Sequence, residues 1–120
     1  LYYKQELAYI SDVSEILKKD LKYFKNLKYL IVDCLWYNFH PSHLNLEKSL
    51  NLINYLKPKK SILTNLSPVL DYKVLKKLVP KNVIPAHDGL TINYKIFSIA
   101  FINFFDKGFV KEANVSSTLP

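Results

Sequence analysis

Two of the chain's three histidines, His40 and His43, flank a proline and a serine in the stretch FHPSHLNLEKSL, directly before a helix-like pattern. An imidazole changes its charge near neutral pH and binds transition metals. Histidines in a proline-bearing loop can therefore supply a metal ligand or a general acid. The polar loop before a helix often has the same composition, and the chain has no HxH, HExxH or paired-cysteine motif. Spacing alone leaves both interpretations open.

The elements around this loop follow from the periodicity of apolar residues. Short apolar runs predict strands, and apolar residues at helical spacing predict helices. The predicted strands are ELAYIS, YLIVDCL, SILT and the two parts of NVIPAHDGLTINY on either side of a turn. Helices are predicted to begin at Ser14, at about Asn45 (ending at Leu56) and at or near Asp71. Their alternation predicts an α/β fold, with one mixed sheet and helices packed on it.

Polar side chains collect at the ends of the predicted strands, which is where open α/β sheets place their chemistry. Asp12 follows the first strand, His40 and His43 follow the second, and His87 and Asp88 lie near the last. A carboxylate at such a position can bind a metal, and a histidine can bind a metal or transfer a proton. Caps and turns are the competing interpretation at each position.

The charge balance is basic, with 17 lysines and no arginine against ten acidic residues, for a formal net charge of +7. Such a surface can attract nucleic acid or acidic substrates. The lysines fall mainly in helix-like runs such as EILKKDLKYFKNLK, where a solvated outer face explains them. Nucleic-acid surfaces usually contain arginine, so a nucleic-acid partner is not expected.

The single cysteine, Cys34, excludes an internal disulfide and lies in an apolar run. This predicts a buried, unreactive thiol in a reducing compartment. Without a signal-peptide pattern or an apolar stretch of membrane length, we predict a cytoplasmic protein with no membrane partner. The chain has no methionine and opens as if already inside a strand, which predicts a fragment or a chain whose start codon was read as leucine.

Four motifs in unbroken order carry a family resemblance: the strand ending in YISD, the strand LIVDCLW, the loop and helix HPSHLNLEKSL, and the series ILTN, LDY and PAHDG. Over about Leu7 to Tyr94 this pattern resembles the C-terminal half of metallo-β-lactamase-fold metal-dependent hydrolases. Among these hydrolases, the pattern most resembles that of a bacterial branch similar to the cyclic phosphodiesterase of phosphonate breakdown. The resemblance implies half of an αββα sandwich in residues 1–94, and we predict an apolar segment and a frayed polar tail in residues 95–120.

The resemblance also implies roles for single residues. Asp12 matches the aspartate that bridges two divalent metals, zinc or manganese, in this family. His43 matches a histidine proposed to contact the scissile phosphate or to protonate the leaving group. A helix cap and a plain loop position are the alternatives for these two residues. Asp33 is expected to position loop residues by hydrogen bonding, and His40 to have an orienting or a structural role.

Two departures separate this chain from the family's enzymes. Asn65 and Ser67 occupy positions where relatives carry a histidine ligand for the second metal, and His87 stands where relatives often have tyrosine, so His87 is not expected to be a ligand. The N-terminal HxHxDH motif, which supplies most ligands, is absent. We therefore predict that the chain alone neither holds the metal tightly nor hydrolyses a phosphodiester.

The resemblance implies a small phosphodiester as the substrate of the complete enzyme. It also implies a separately encoded N-terminal half, or self-association, as the partner of this chain. A lone half of the fold is expected to expose an apolar sheet face, with YLIVDCLW and IFSIAFINFF as the surfaces at risk. A non-catalytic interaction module that binds a partner through this face is the alternative function, and a lysine-rich nucleic-acid binder is the less favoured alternative.

Overall fold

The computed structural model describes residues 2–3, 6–94, 97–100 and 114–117, which fall into two units, Leu1–Pro85 and Ala86–Pro120. The first unit contains, in chain order, β1 Tyr2–Tyr3, β2 Leu7–Ile10, a 3-10 helix Leu21–Phe24, β3 Tyr29–Asp33, α1 Leu46–Leu56, β4 Lys60–Thr64, α2 Tyr72–Leu78 and β5 Val83–Pro85. The second unit contains β6 Thr91–Tyr94, β7 Phe97–Ala100 and β8 Asn114–Ser117.

The sheet of the first unit has the strand order β1-β2-β3-β4-β5. Strands β2 to β5 are parallel, and β1 pairs with β2 in the antiparallel direction, so the sheet is mixed as predicted. The register places Ile31 opposite Ile62 and Asp33 opposite Thr64. Parallel strands are usually covered on both faces, which explains why β3 is a continuous apolar run and why four consecutive residues of β4, from Ser61 to Thr64, are buried. The predicted α/β fold is confirmed.

Both helices begin where their capping residues predict. Asn45 Oδ1 accepts a hydrogen bond from Lys48 N–H at 3.0 Å, and Asp71 Oδ1 accepts one from Val74 N–H at 3.0 Å. These bonds satisfy backbone donors that the first helical turn leaves open. The core between helices and sheet consists of Ala8, Leu27, Leu30, Val32, Cys34, Leu44, Ile53, Leu56, Leu63, Leu70, Leu75 and Val83.

The prediction of a helix that begins at Ser14 is wrong. Residues 11–20 form no helix and contain a single turn in which Asp20 N–H donates to Leu17 O at 2.9 Å. Leu21–Phe24 form a short 3-10 helix, and Tyr23 N–H donates to Asp20 O at 3.0 Å. Asn26 N–H donates to the carbonyl oxygen of Leu56, the last residue of α1, at 2.9 Å, and Asn26 has a left-handed φ of 58°. This contact with a residue far away in the sequence holds the end of the segment in a non-helical conformation, and tertiary contacts of this kind override helix propensity.

The predicted exposure of YLIVDCLW is wrong for most of that run. Leu30 and Val32 are fully buried and belong to the core between helices and sheet. Ile31 and its partner Ile62 lie on the alternate side of their strands and are also buried, at 0% and 1% exposure. The apolar face that was expected to recruit a partner is therefore not open along β3 and β4.

Strands β6, β7 and β8 form a second, antiparallel sheet. The turn predicted before β6 is present, because Leu90 N–H donates to His87 O at 3.0 Å and Gly89 has a φ of 82°, a conformation that favours glycine. The apolar segment and tail predicted for residues 95–120 lie mostly outside the described residues, which here are β7 and β8. None of the helices described is long and apolar enough to cross a membrane.

Candidate functional site

The carboxyl ends of β2, β3 and β4 bring three polar residues to one edge of the sheet. Asp12 follows β2, Asp33 is the last residue of β3, and Asn65 follows β4. Parallel strands end at the same edge, so residues far apart in the sequence meet there. Asp12 (φ 54°) and Asn65 (φ 59°) adopt the left-handed conformation, which Asp and Asn tolerate better than most residues. We name this side of the sheet the site edge.

His43 reaches the site edge from the loop before α1. Its Nδ1 lies 2.9 Å from Oδ2 of Asp33, whose side chain is fully buried, and the His43 side chain is 19% exposed. A carboxylate accepts hydrogen bonds, so Nδ1–H of His43 is the donor and Nε2 remains for a ligand or a substrate. The buried carboxylate thereby fixes the tautomer and the orientation of the imidazole.

Three further hydrogen bonds hold Asp33. The Asn65 amide donates to Oδ1 at 2.9 Å, and Val13 N–H donates to Oδ2 at 3.4 Å. The Ser49 hydroxyl donates to the carbonyl oxygen of Asp33 at 2.6 Å, which ties the end of β3 to α1. The buried carboxylate therefore has a donor on each oxygen, as a buried polar group requires. The prediction that Asp33 positions loop residues by hydrogen bonding is confirmed.

Asp12 lies beside this pair and faces solvent. Its Oδ1 is 3.7 Å from Nδ1 of His43, and its side chain is 80% exposed. The structure thus brings together the two residues that the sequence singled out for metal binding and for catalysis. The alternative role of Asp12 as a helix cap is excluded, because residues 13–20 form no helix.

His40 contributes to the loop rather than to the hydrogen-bonded pair. Ser42 N–H donates to its Nδ1 at 3.3 Å, and the Ser42 hydroxyl lies 3.2 Å from the same atom. The ring centroids of His40 and His43 are 5.0 Å apart, with an angle of 53° between the rings. These contacts fit the structural role considered for His40. His87 belongs to the second unit, where its Nδ1–H donates to the carbonyl oxygen of Asp88 at 2.9 Å.

The residues described here do not make a metal site by themselves. Among them, no cluster of three or more His, Cys, Asp or Glu side chains can hold an ion. Both oxygens of Asp33 accept hydrogen bonds, so Asp12 and Nε2 of His43 are the ligands that remain at the site edge. The Asn65 amide nitrogen donates a hydrogen bond to Asp33, and the hydroxyl of Ser67 is a poor ligand for zinc. A tetrahedral zinc site needs more ligands than this pair.

Tyr9 is a residue of the site edge that the sequence did not single out. Burial raises the pKa of its phenol, a hydrogen bond with Thr64 opposes this effect, and the charges of Asp12 and Asp33 add to it. The pKa is raised overall, so the phenol stays neutral near two carboxylates. Its position three residues before Asp12, within an apolar strand, was the signal available in the sequence.

Cys34 follows Asp33 and is buried in the core. Burial raises the pKa of its thiol to about 12, a hydrogen bond with Ser49 opposes this effect, and the charge of Asp33 adds to it. Because the thiolate is the reactive form, we expect the native chain to react with an aromatic disulfide reagent at pH 8 at least ~100-fold more slowly than the urea-unfolded chain. Absorbance of the released thiolate measures both rates. Equal rates would contradict the burial of this thiol.

No protein-family model matches the chain, and no curated protein matches it. A solved structure described as a new diphosphatase from the PhnP family matches with a TM-score of 0.72 and 29% sequence identity. The match covers 75% of this chain and 36% of that one, so this chain spans little more than a third of the length of its structural neighbour. The similarity supports a phosphodiesterase-like metallo-β-lactamase fold, a fold whose members generally use divalent metals. The largely parallel sheet with two helices is consistent with half of that sandwich.

Proposed function

We propose that this chain contributes part of the active site of a metal-dependent hydrolase of the metallo-β-lactamase superfamily, acting on a phosphodiester-type bond. The observation that carries the proposal is the 2.9 Å hydrogen bond between His43 and the buried Asp33, with the Asp12 carboxylate 3.7 Å from the same imidazole nitrogen. The similarity to a PhnP-family diphosphatase supports the reaction class.

In this proposal His43 donates a proton to the leaving-group oxygen. Asp33 accepts the hydrogen bond from Nδ1–H, which leaves Nε2 on the opposite side of the ring. A protonated imidazole stabilised by a buried carboxylate can pass its Nε2 proton to an alkoxide as the P–O bond breaks. Asp33 acts through His43 and is a positioning residue, and the Asn65 and Val13 donors in turn fix Asp33.

Asp12 is the proposed metal ligand of this chain. Its carboxylate is exposed at the site edge, where an incoming ion can reach it. A lone carboxylate holds zinc or manganese weakly, so the other ligands have to come from another polypeptide segment. We propose a separately encoded N-terminal half, or a second copy of the chain, as their source, and a small phosphodiester as the substrate. The buried free thiol of Cys34 fits a reducing compartment such as the cytoplasm.

The isolated recombinant chain tests the need for other ligands. With Mn²⁺ or Zn²⁺ added, we expect hydrolysis of bis(4-nitrophenyl) phosphate at no more than the buffer rate, and no metal site tighter than about 0.1 mM by calorimetry. Residual binding is expected to fall in Asp12→Asn and to stay unchanged in Glu15→Gln, which neutralises an exposed carboxylate nearby in the sequence. Robust turnover by the unaided chain would contradict the proposal.

A non-catalytic interaction module is the competing function, and Asn65 is the observation in its favour. The Asn65 amide nitrogen lies 2.9 Å from Oδ1 of Asp33 and 3.3 Å from Nδ1 of His43, so it occupies the space beside the pair with a hydrogen-bond donor rather than a metal ligand. If this function is the right one, the chain recovered with its partner hydrolyses no phosphodiester in the presence of either metal.

A further inference from the structure

The lysines are distributed unevenly over the fold. Three segments, 21–29, 54–61 and 76–83, contain nine of the 17 lysines and none of the ten acidic residues. The other eight lysines stand against ten acidic residues, which leaves the rest of the chain with a formal net charge of −2. The positive charge of the protein therefore comes from these segments. Their lysines, all exposed, are Lys22, Lys25, Lys28, Lys57, Lys59, Lys60, Lys76, Lys77 and Lys81.

Backbone hydrogen bonds hold the three segments side by side. Lys60 N–H donates to Lys28 O at 3.0 Å, and Ser61 N–H donates to Asn82 O at 2.9 Å. The segments contain the starts of β3, β4 and β5 and the ends of α1 and α2, because helices that connect parallel strands run back along the sheet. They therefore form the edge of the sheet opposite the site edge, and we name it the lysine edge.

Two exposed tyrosines lie among these lysines. Tyr23 is 54% exposed and Tyr55 is 52% exposed. Lys25 Nζ lies 4.5 Å from the ring centroid of Tyr55, and Lys22 Nζ lies 5.1 Å from that of Tyr23. Exposed aromatic rings beside cations are the combination on which single-stranded nucleic acids bind, with bases stacked on the rings and phosphates paired with the cations.

We propose that the lysine edge binds single-stranded nucleic acid without sequence preference. A lysine ammonium binds phosphate as a point charge and does not read base edges in the way an arginine fork does, so the absence of arginine fits a sequence-independent site. The tyrosines favour nucleic acid over an acidic protein, because an acidic protein offers charge without planar bases to stack. The attraction of lysine to helix ends accounts for Lys57 at the end of α1 and for Lys76 and Lys77 in the last turn of α2. It does not account for Lys28, Lys59 and Lys60, at the starts of β3 and β4.

The sequence predicted a solvated outer face and no nucleic-acid partner because the lysines fall mainly in helix-like runs and the chain has no arginine. Folding collects nine of the 17 lysines on one edge. The proposal stands apart from the hydrolase function, since its residues lie at the opposite end of the strands from Asp12, Asp33 and His43.

Fluorescence anisotropy with a labelled DNA strand of about 20 nucleotides tests the proposal. We expect binding that weakens steeply with salt, and tighter binding of the single strand than of its duplex. The double variant Lys59→Glu, Lys60→Glu is expected to bind at least ~30-fold more weakly at low salt. The matched control Lys48→Glu, Lys73→Glu makes the same change in net charge in the first turns of α1 and α2, and it is expected to stay within about 3-fold of wild type.

Urea unfolding of each variant checks that it is folded, and Lys76→Glu, Lys77→Glu on the exposed side of α2 serves as a second test variant. Replacing Tyr55 with leucine is expected to weaken single-strand binding about 10-fold and to leave duplex binding unchanged. Absence of salt-dependent binding, equal losses in the test and control variants, or equal binding of polyglutamate, a polyanion without bases, would overturn the proposal.

Discussion

Replacing Asp33 with alanine is expected to lower the free energy of unfolding by about 3 kcal/mol. The side chain is fully buried, and its removal leaves three donors facing it without an acceptor: Nδ1–H of His43, the Asn65 amide and Val13 N–H. An unsatisfied buried donor costs free energy because it has lost its water without gaining a partner. Urea unfolding followed by circular dichroism measures the change.

The matched comparison is Asp71→Ala, which removes an exposed aspartate that caps α2. Loss of that cap is expected to cost about 1 kcal/mol, so Asp33→Ala should be clearly the more damaging of the two. A double-mutant cycle between Asp33→Ala and Asn65→Ala is expected to show a coupling of about 1–2 kcal/mol. If Asp33→Ala costs no more than Asp71→Ala, the carboxylate does not organise the site edge.

In the enzyme of which we propose this chain to be a part, replacing His43 with glutamine is expected to slow hydrolysis of an alkyl phosphodiester by about 10²–10⁴-fold. An alkoxide is a strong base and needs a proton as it leaves. The variant lacks the imidazole that donates a hydrogen bond to Asp33 and that is proposed to supply this proton. An aryl phosphodiester that releases 4-nitrophenolate needs no such proton, so its hydrolysis is expected to fall less than about 10-fold. Comparing the two substrates separates proton donation from binding.

The control for this prediction is His40→Gln. His40 lies in the same loop, with its ring centroid 5.0 Å from that of His43, but its Nδ1 contacts Ser42 rather than Asp33. Its rates with both substrates are expected to stay within about 3-fold of wild type. Equal losses for the alkyl and aryl substrates in His43→Gln would show that His43 is not the proton donor.

Strands β2 to β6 and the two α-helices could be predicted because local signals agree with the fold. β3 is a continuous apolar run, β4 contains the apolar pair Ile62 and Leu63, and Asn45 and Asp71 cap the helices that follow these strands. The segment from Ser14 to Leu27 has apolar residues at helical spacing, but Asn26 is bonded to Leu56 with a left-handed backbone, and the segment forms only a short 3-10 helix. A contact with a residue far away in the sequence overrides the periodicity there.

The residue types of the site could be predicted from the sequence, but the hydrogen bonds between them could not. Strand ends in an α/β fold pointed to Asp12, His40, His43, His87 and Asp88. The family resemblance then selected Asp12 and His43 among them, and Asp33 was expected to make hydrogen bonds. The position of the Asn65 amide on Asp33 depends on the left-handed backbone after β4, which no local pattern specifies. The lysine edge depends on pairing between strands that are far apart in the sequence, so it too emerges only in the folded chain.

The central claim is that this chain carries the Asp33–His43 proton donor of a metal-dependent phosphodiester hydrolase. The most direct test of it uses the chain expressed in its native cell. An epitope-tagged copy, recovered with whatever it binds, is assayed on an alkyl phosphodiester with Mn²⁺ or Zn²⁺ and again after chelation. We expect hydrolysis that needs the metal and that falls at least ~100-fold in His43→Gln. A recovered preparation with no hydrolysis, or with the same rate in His43→Gln as in wild type, would contradict the account.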